Sequence, residues 1–239
     1  MHFADITRAL RAAERLLLPP ECLLCHEPVE ERAGDSLICE LCQSRWRRLP
    51  EPVCSRCGQP LDPGISCRIC EAWPGALQRV RSAVWFDGSV RGAIHQLKYE
   101  GWWRVAEVAA RSMRRLEPLE PGVVLVPVPL AQKRLRRRGY NQSERIARAL
   151  GSLRGLSVRE DLLSRVQETA TQTALTPEAR KANVERAFRA SPIRSDRFVL
   201  VDDVFTTGAT LAAAALALAE AGAARVEAVT FARATVPIA

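Results

Sequence analysis

Short apolar runs after residue 78 predict the strands of a sheet. Residues 123–126 and 198–201 are apolar at every position, whereas a half-exposed strand alternates apolar and polar side chains. Continuous runs of this kind are typical of strands that are buried on both faces of a parallel sheet. Together with two further short runs, they predict strands at 82–86, 123–128, 198–201 and 226–231.

Helical periodicity separates these runs. Two sets of apolar residues recur at intervals of three and four: Val90, Ile94 and Leu97, then Ile146, Leu150 and Leu153. The alanine- and leucine-rich segment 211–221 is also a strong helix former. Strands that alternate with helices predict an α/β domain, in which a mostly parallel sheet is flanked by helices and the ligand lies beyond the carboxyl ends of the strands.

All eight cysteines lie in the N-terminal part of the chain, in four Cys-x2-Cys pairs: Cys22 and Cys25, Cys39 and Cys42, Cys54 and Cys57, Cys67 and Cys70. Two such pairs supply the four thiolates of a tetrahedral site, so the segment predicts two structural zinc sites. Sequential pairing, first with second and third with fourth, is favoured because each loop that it closes is short. Interleaved pairing, first with third and second with fourth, also fits the spacing.

Other chemistry for the cysteines fits the sequence less well. A disulfide framework needs an oxidising compartment, which nothing in the sequence indicates. An iron–sulfur cluster also takes four cysteines, but regular pairs favour zinc over the irregular spacing of ferredoxins. The change in composition near residue 75 predicts an N-terminal helix at 1–20, a double zinc ribbon at 21–74 and the α/β domain at 75–239.

Net charge and hydropathy indicate which kinds of molecule the protein binds and where in the cell we expect it. The formal net charge of +8 favours something anionic, which could be a phosphorylated small molecule, nucleic acid or an acidic partner. Three arginines and a glutamate interrupt the first eighteen residues, which excludes the apolar core of a signal peptide. No run reaches the roughly 18 apolar residues that a membrane span needs. We therefore expect a soluble, cytoplasmic protein without a membrane span.

The residues that follow the run at 198–201 predict a phosphate site. Two carboxylates, Asp202 and Asp203, precede a loop made of Thr206, Thr207, Gly208, Ala209 and Thr210. A loop from a buried strand into a helix directs backbone N–H groups and the positive end of the helix dipole at one point, which suits a phosphate. The carboxylates can hold ribose hydroxyls or support a magnesium ion. This combination favours a binding site over a plain polar turn.

A second loop, after the strand at 123–128, is strongly basic. Its basic and polar side chains are Lys133, Arg134, Arg136, Arg138, Asn141 and Gln142. Asn141 with Glu144 three residues later resembles a capping box, so another helix begins here. A basic loop that ends at a helix N-terminus predicts a site for a diphosphate, although a solvated charge run or a nucleic-acid patch would have the same composition.

These features resemble the ComF/GntX family of competence-associated, phosphoribosyltransferase-like proteins over nearly the whole chain. The resemblance rests on the cysteine pairs and on the segments 97–101, 126–129, 136–142, 165–188 and 202–210. It implies a type I phosphoribosyltransferase-like fold for 75–239 and a site for phosphoribosyl pyrophosphate (PRPP) with magnesium. In some members it implies a role in the uptake of single-stranded DNA, but it implies no particular acceptor.

The reaction that this resemblance implies assigns a role to each motif. A nucleophile attacks the anomeric carbon of PRPP while diphosphate leaves, so the protein stabilises separated charge. The 206–210 loop would anchor the 5-phosphate, and the basic loop with magnesium would hold the diphosphate. The catalytic residues Asp202 and Asp203 would hold the ribose and stabilise its developing positive charge. Lys98 and Tyr99 belong to a family motif and are weaker site candidates.

Residues 165–188 are the predicted hood of this site. Its candidate residues are Arg165, Thr169, Gln172, Arg180 and Asn183. A polar segment between two sheet elements can close a site against water, although an ordinary connection with a helix at 177–187 fits the same residues. The sequence thus favours an enzyme that transfers or removes a phosphoribosyl group, with an unknown acceptor. The alternative is an accessory protein that binds single-stranded DNA and a DNA-uptake motor protein.

Overall fold

A parallel five-stranded sheet is the centre of the fold, and this confirms the predicted class. The computed structural model describes residues 21–29, 37–62, 64–166, 187–193 and 197–235. In sheet order, the strands are β1 (Leu77–Trp85), β7 (Arg225–Arg233), β6 (Arg197–Phe205), β2 (Val124–Pro127) and β3 (Ser157–Val158). Each strand runs parallel to its neighbour.

Burial explains the continuous apolar runs. Val199, Leu200 and Val201 in β6 are fully buried, and β7 is buried from its second residue to its last. Strand β6 is longer than the sequence predicts, because it runs on to Phe205. Asp202 and Asp203 therefore lie inside the strand and not in the turn that follows it.

The described part of the chain contains six helices: α1 (Glu40–Ser44), α2 (Gly88–Tyr99), α3 (Val105–Met113), α4 (Gln132–Arg138), α5 (Gln142–Arg154) and α6 (Ala209–Glu220). Helices α2, α5 and α6 were predicted, and α3 was missed. The prediction of a basic loop at 133–142 was wrong for its first half, because arginine, lysine and leucine are good helix formers. Gly139, with a φ of 82°, ends α4 in a left-handed conformation.

The helices cover the two faces of the sheet unequally. Helices α2, α3 and α5 share one apolar core with β2, β6 and β7. Helix α6 packs on the opposite face, together with an antiparallel pair of short strands, β4 (Leu163–Arg165) and β5 (Phe188–Ala190). The chain therefore leaves β2 over one face toward β3, and leaves β6 over the other face toward β7. Neighbouring strands that diverge in this way open a crevice at their carboxyl ends, where ligands bind in such sheets.

The cysteine-rich segment covers the outer edge of the sheet at β1. We call residues 21–50 the first ribbon and residues 51–74 the second ribbon. The first ribbon packs on the α2 face, where the rings of Trp46 and Phe231 lie 5.1 Å apart, and the second packs on the α6 face. Backbone N–H groups of Trp85 and Val80 donate to carbonyls of the two ribbons at 2.9 and 2.7 Å. The ribbons thus pair with an edge strand that would otherwise be open.

Two further expectations from the sequence concern an N-terminal helix and the absence of a membrane span. The predicted N-terminal helix at 1–20 lies outside the described residues. A helix needs about 18 or more apolar residues to cross a bilayer, and no helix in the described ranges meets that requirement.

Candidate functional site

The cysteine thiols form two separate groups: Cys22, Cys25, Cys39 and Cys42 in the first ribbon, and Cys54, Cys57, Cys67 and Cys70 in the second. The sulfur atoms of each group all lie within 4.8 Å of one another. Individual Sγ–Sγ distances are 3.4 to 3.7 Å. Four sulfurs that bind one zinc ion at about 2.3 Å are separated by about 3.8 Å. Each group therefore fits a tetrahedral zinc site, and the grouping is sequential.

Backbone donors stabilise the thiolate form of Cys22. The amides of Leu24 and Cys39 donate to Sγ of Cys22 at 3.4 and 3.3 Å. Burial acts to raise the pKa of Cys22, but backbone donors outweigh it and lower the pKa to about 7. Thiolates are the metal ligands, and four of them leave no open position. Both sites are accordingly suited to structural zinc and not to catalysis.

Paired substitutions test the sequential grouping. Cys25→Ser/Cys39→Ser removes two ligands from one group, so about one equivalent of zinc per chain should be lost. Cys25→Ser/Cys54→Ser removes one ligand from each group and should reduce zinc at both sites. Zinc released from purified protein is measured with a chromogenic chelator. Interleaved pairing would reverse the two results.

Two acidic residues and their partners lie at the carboxyl end of β6. Asp202 Oδ1 accepts a hydrogen bond from Ser143 Oγ at 2.7 Å and another from the Asp203 amide at 2.9 Å. The Asp203 carboxylate, which is 4% exposed, is ion-paired with Lys98. Gln142 Nε2 donates to its other oxygen at 3.4 Å. The end of α2 and the start of α5 therefore hold the two carboxylates in place.

Proximity makes the two carboxylates unequal. Burial raises the pKa of Asp202 to about 7, and the negative charge of Asp203 acts in the same direction. The hydrogen bond from Ser143 and the charge of Lys98 oppose this shift without cancelling it. A cation or a hydroxyl donor that binds beside such an acid favours its charged, carboxylate form. The pair is thus prepared for a ligand that brings either group.

A basic cavity of about 600 Å³ opens beside the acids. Its lining residues are Lys98, Tyr99, Gly101, Leu130, Arg134, Arg137, Arg138 and Gln142. Arg138 donates to Gln142 Oε1 and lies over the Tyr99 ring, 5.5 Å from its centroid. Four cationic side chains around one cavity attract a highly charged anion such as a diphosphate. The weaker candidates Lys98 and Tyr99 both contribute to this wall.

The helical form of α4 determines which basic residues reach the cavity. Arg134 and Arg138 lie four residues apart on one face of the helix and line it, whereas Lys133 and Arg136 are exposed and are not part of its wall. Asn141 has a different role: it caps α5 through Ser143 N at 3.1 Å and donates to the Val128 carbonyl at 3.0 Å.

The helix that begins here lacks the reciprocal bond of a capping box. Glu144 pairs with Arg148 at 3.1 Å and does not bond back to the cap.

Of the candidates in the basic segment, Arg134, Arg138 and Gln142 are the ones that line the cavity.

Residues 206–208 connect β6 directly to α6, and the 206–210 loop also includes the first two residues of that helix, Ala209 and Thr210. Thr206, Thr207 and Ala209 are exposed, and the Ala209 amide donates to Thr207 Oγ1 at 3.4 Å. The predicted geometry of a phosphate loop is present, with a strand, a short loop and a helix N-terminus. No described residue of this loop lines the 600 Å³ cavity. Asp203 connects the two surfaces, because it lies in the strand that leads into the loop and contacts Lys98 and Gln142 of the cavity wall.

Gly208 is required by the geometry of this loop. Its φ is 81°, a left-handed value that other residues rarely adopt. A Cβ at this position would lie only 2.3 Å from Cζ2 of Trp73 and 3.0 Å from the Phe205 ring. Close packing against the second ribbon thus leaves no room for a side chain.

Of the five candidate residues of the predicted hood, Arg165 is the one that lies within the described ranges. It lies in β4 with its guanidinium 5.3 Å from the Phe188 ring centroid. Burial lowers the pKa of Arg165, the charge of Arg134 adds to this effect and the charge of Asp202 opposes it. The charges of Arg134 and Asp202 therefore both act on Arg165. Thr169, Gln172, Arg180 and Asn183 lie outside the described residues.

Sequence reasoning missed three residues beside the site: Ser143, Arg137 and Trp73. Arg137 belonged to the basic run but was not singled out. Ser143 and Trp73 contact residues that are 59 and 134 positions away in the chain. No local pattern signals such contacts.

The raised pKa of Asp202 makes stability depend on pH. The folded carboxyl keeps its proton up to about pH 7, whereas an unfolded aspartate loses it near about pH 4. The free energy of unfolding should therefore fall as pH rises between these values, by up to about 1.4 kcal/mol per pH unit, and level off above. Asp202→Asn should remove this fall and be more stable than the wild type at about pH 8.

Urea unfolding at a series of pH values measures the effect. Asp161→Asn is the control, because its exposed carboxyl pairs with Arg159, which lowers its pKa to about 2, outside this window. An Asp202→Asn variant with the wild-type slope would contradict the assignment.

Comparison with known proteins agrees with this geometry. A double zinc ribbon family model matches residues 13–71, and a phosphoribosyl transferase domain model matches residues 135–236. The chain is 34% identical to the DNA utilization protein YhgH of Escherichia coli over 221 residues, which cover 89% of this chain and 96% of that protein. It is 27% identical to competence protein F of Haemophilus influenzae over 186 residues, or 73% and 80% of the two chains. It is 26% identical to competence protein ComFC of Bacillus subtilis over 227 residues, or 84% and 89%. The chain belongs to the ComF/GntX family, with a double zinc ribbon followed by a phosphoribosyltransferase domain.

Proposed function

We propose that this protein binds PRPP with magnesium and transfers a phosphoribosyl group to an acceptor, or removes one, with diphosphate as the leaving group. The acid pair Asp202–Asp203 carries this proposal. It lies at the crevice between β2 and β6, with an exposed phosphate loop on one side and a basic cavity on the other. A ligand with a phosphate at one end, a diphosphate at the other and a ribose between them matches that order.

The two ends of the site suit different phosphates. The 206–210 loop offers backbone amides and hydroxyls and has no cationic side chain, which suits a single 5-phosphate at a helix N-terminus. The cavity offers Arg134, Arg137 and Arg138, which suit the greater charge of a diphosphate. The separation of these two surfaces by the acids gives PRPP a direction in the site.

The acids would act on the ribose. Asp202 and Asp203 accept hydrogen bonds from the ribose hydroxyls, and their negative charge stabilises the positive charge that develops at the anomeric carbon. Lys98 neutralises part of this charge in the free protein, which keeps the buried pair tolerable. Carboxylate oxygens also suit magnesium, and the ion supplies charge neutralisation for the departing diphosphate.

The proposed reaction needs no nucleophile from the protein. A lone pair of the acceptor forms the new bond to the anomeric carbon, and the bond to the diphosphate oxygen breaks with its electron pair on the diphosphate. The acceptor proton passes to a base or to solvent. Each proposed protein role is positional or electrostatic, in keeping with a site that contains carboxylates, cations and hydroxyls.

Isothermal titration with PRPP and magnesium tests the proposal. Wild-type protein should bind, and Asp202→Ala/Asp203→Ala should bind at least about 100-fold more weakly, because two hydrogen bonds to charged groups are lost. The matched control is Asp62→Ala/Asp161→Ala, in which both aspartates are exposed. Equal binding by the two double variants, or none by the wild type, would rule out this function.

A second function, binding of single-stranded DNA, is favoured by a different surface. Trp102 and Trp103 are 44% and 43% exposed. Arg145 lies over the Trp103 ring, 4.8 Å from its centroid, beside a groove of about 380 Å³ that Arg111 and Arg148 also line. Aromatic rings between arginines are typical platforms for stacked bases. The names of the relatives, DNA utilization and competence proteins, are compatible with this proposal, as is a DNA-uptake motor protein as partner.

Fluorescence anisotropy with a labelled oligonucleotide tests this second function. Trp103→Ala should weaken binding by about 5- to 150-fold, the range that the loss of one stacked base implies. Wild-type affinity should also fall steeply with salt. Ile65→Ala, at an exposed apolar residue of the second ribbon, is the control and should bind like the wild type. Salt-independent binding, or equal affinities for the two variants, would count against it.

A further inference from the structure

The second ribbon touches the phosphate loop through one side chain, Trp73. Its indole Nε1 donates a hydrogen bond to the Thr207 carbonyl at 3.3 Å. The same ring packs edge-on against Phe205, with centroids 5.8 Å apart, and fills the space in which a side chain at Gly208 would lie. Trp73 thus contacts Phe205, Thr207 and Gly208, three of the four residues that immediately precede α6.

Trp73 is fixed in turn by the second four-cysteine site. Its backbone amide donates to the Cys70 carbonyl at 3.3 Å. Arg56, which lies between the ligands Cys54 and Cys57, donates to the carbonyls of Cys70 and Trp73 at 2.9 and 3.2 Å. The Arg56 guanidinium also lies 5.7 Å from the Trp73 ring centroid. The position of Trp73 therefore depends on the folded geometry of this site.

Arg233 forms a second connection between the second four-cysteine site and Phe205. This arginine is fully buried and lies 4.2 Å from the Phe205 ring centroid. Its Nη1 donates to the Cys57 carbonyl at 2.7 Å, and its Nη2 lies 3.8 Å from Cys57 Sγ. Trp73 and Arg233, which both pack on Phe205, are thus both connected to the second four-cysteine site.

We propose that Trp73 is a positioning residue of the phosphate loop, through which the second four-cysteine site sets the affinity of the loop for phosphate. The role of the loop in binding PRPP rests on the proposed function above. In the described part of the first ribbon, the tryptophan Trp46 packs instead on the opposite face of the sheet against Phe231. The two ribbons should therefore differ in their effect on the loop, although each contains two Cys-x2-Cys pairs.

Amide hydrogen exchange of the full chain, without ligand, tests the positioning role. Trp73→Phe keeps a ring but loses the N–H donor. Exchange at residues 209–213, which include the hydrogen-bonded amides of Ala209 and Ala212, should therefore rise about fivefold, and we call this quantity the loop exchange. Trp73→Ala should raise it further. Trp46→Phe is the matched control: its ring contact is of the same kind, and its indole N–H has no partner in the described structure. Loop exchange in this control should equal that of the wild type.

Two cysteine variants test the dependence on the metal site. Cys67→Ser, in the second group, should raise loop exchange as Trp73→Ala does, whereas Cys25→Ser, in the first group, should leave it unchanged. Exchange in β7 reports whether each variant keeps its sheet. Titration with PRPP and magnesium should give a dissociation constant about fivefold higher for Trp73→Phe.

The exchange and titration results separate the two proposals. Wild-type loop exchange in both Trp73 variants, or an equal rise in Trp46→Phe, would overturn the positioning role whatever the protein binds. Faster loop exchange in the Trp73 variants, together with no PRPP binding by the wild type, would support that role and reject the proposed function. Faster exchange with unchanged PRPP affinity would overturn the link to phosphate binding.

Discussion

The ion pair between Lys98 and Asp203 is the interaction on which the site depends. Two carboxylates lie together inside a central strand, where an uncompensated charge would be costly. Lys98 is in the last turn of α2, and the Tyr140 hydroxyl donates to the carbonyl of the preceding Leu97. Ser143 holds the other carboxylate from the first turn of α5. The ends of two helices are thereby fixed around the acids, and the cavity lies between them.

The parallel sheet supplies the frame for this arrangement. Because β2 and β6 send the chain over opposite faces, their carboxyl ends are left open to a ligand. The zinc ribbons complete the frame at the far edge, where they pair with β1 and contribute to both apolar cores. A metal site in such a ribbon stabilises a segment that is too small to bury a core of its own. Through Trp73, the second ribbon also contacts the 206–210 loop.

Local patterns predicted the features that depend on short stretches of chain. Continuous apolar runs identified β2 and β6, and the cysteine spacing identified two four-ligand sites. Helix α3 was missed because its apolar residues are mostly small and nearly consecutive, which hides the helical period. Helix α4 was taken for a loop because it buries no residue and so has no apolar face to detect. Strand β3 has only two residues, too few for any pattern.

Parts of the candidate site could not be predicted, because they depend on tertiary contacts. The sequence indicates that Asp202 and Asp203 are near a phosphate loop, but it does not show which carboxylate pairs with Lys98. Ser143 reaches Asp202 across 59 residues, and Trp73 reaches Thr207 across 134. Such partners are set by the order of strands in the sheet and by where the ribbons pack on it. Local propensity contains neither.

The central claim is that one ligand spans the phosphate loop, the acids and the basic cavity. A crystal structure of the protein with PRPP and magnesium tests it most directly. In this complex we expect the 5-phosphate at residues 206–210 and the ribose beside Asp202 and Asp203. We expect the diphosphate in the cavity that Arg134 and Arg138 line. A ligand bound elsewhere, or in the reverse direction with its diphosphate at the loop, would contradict it.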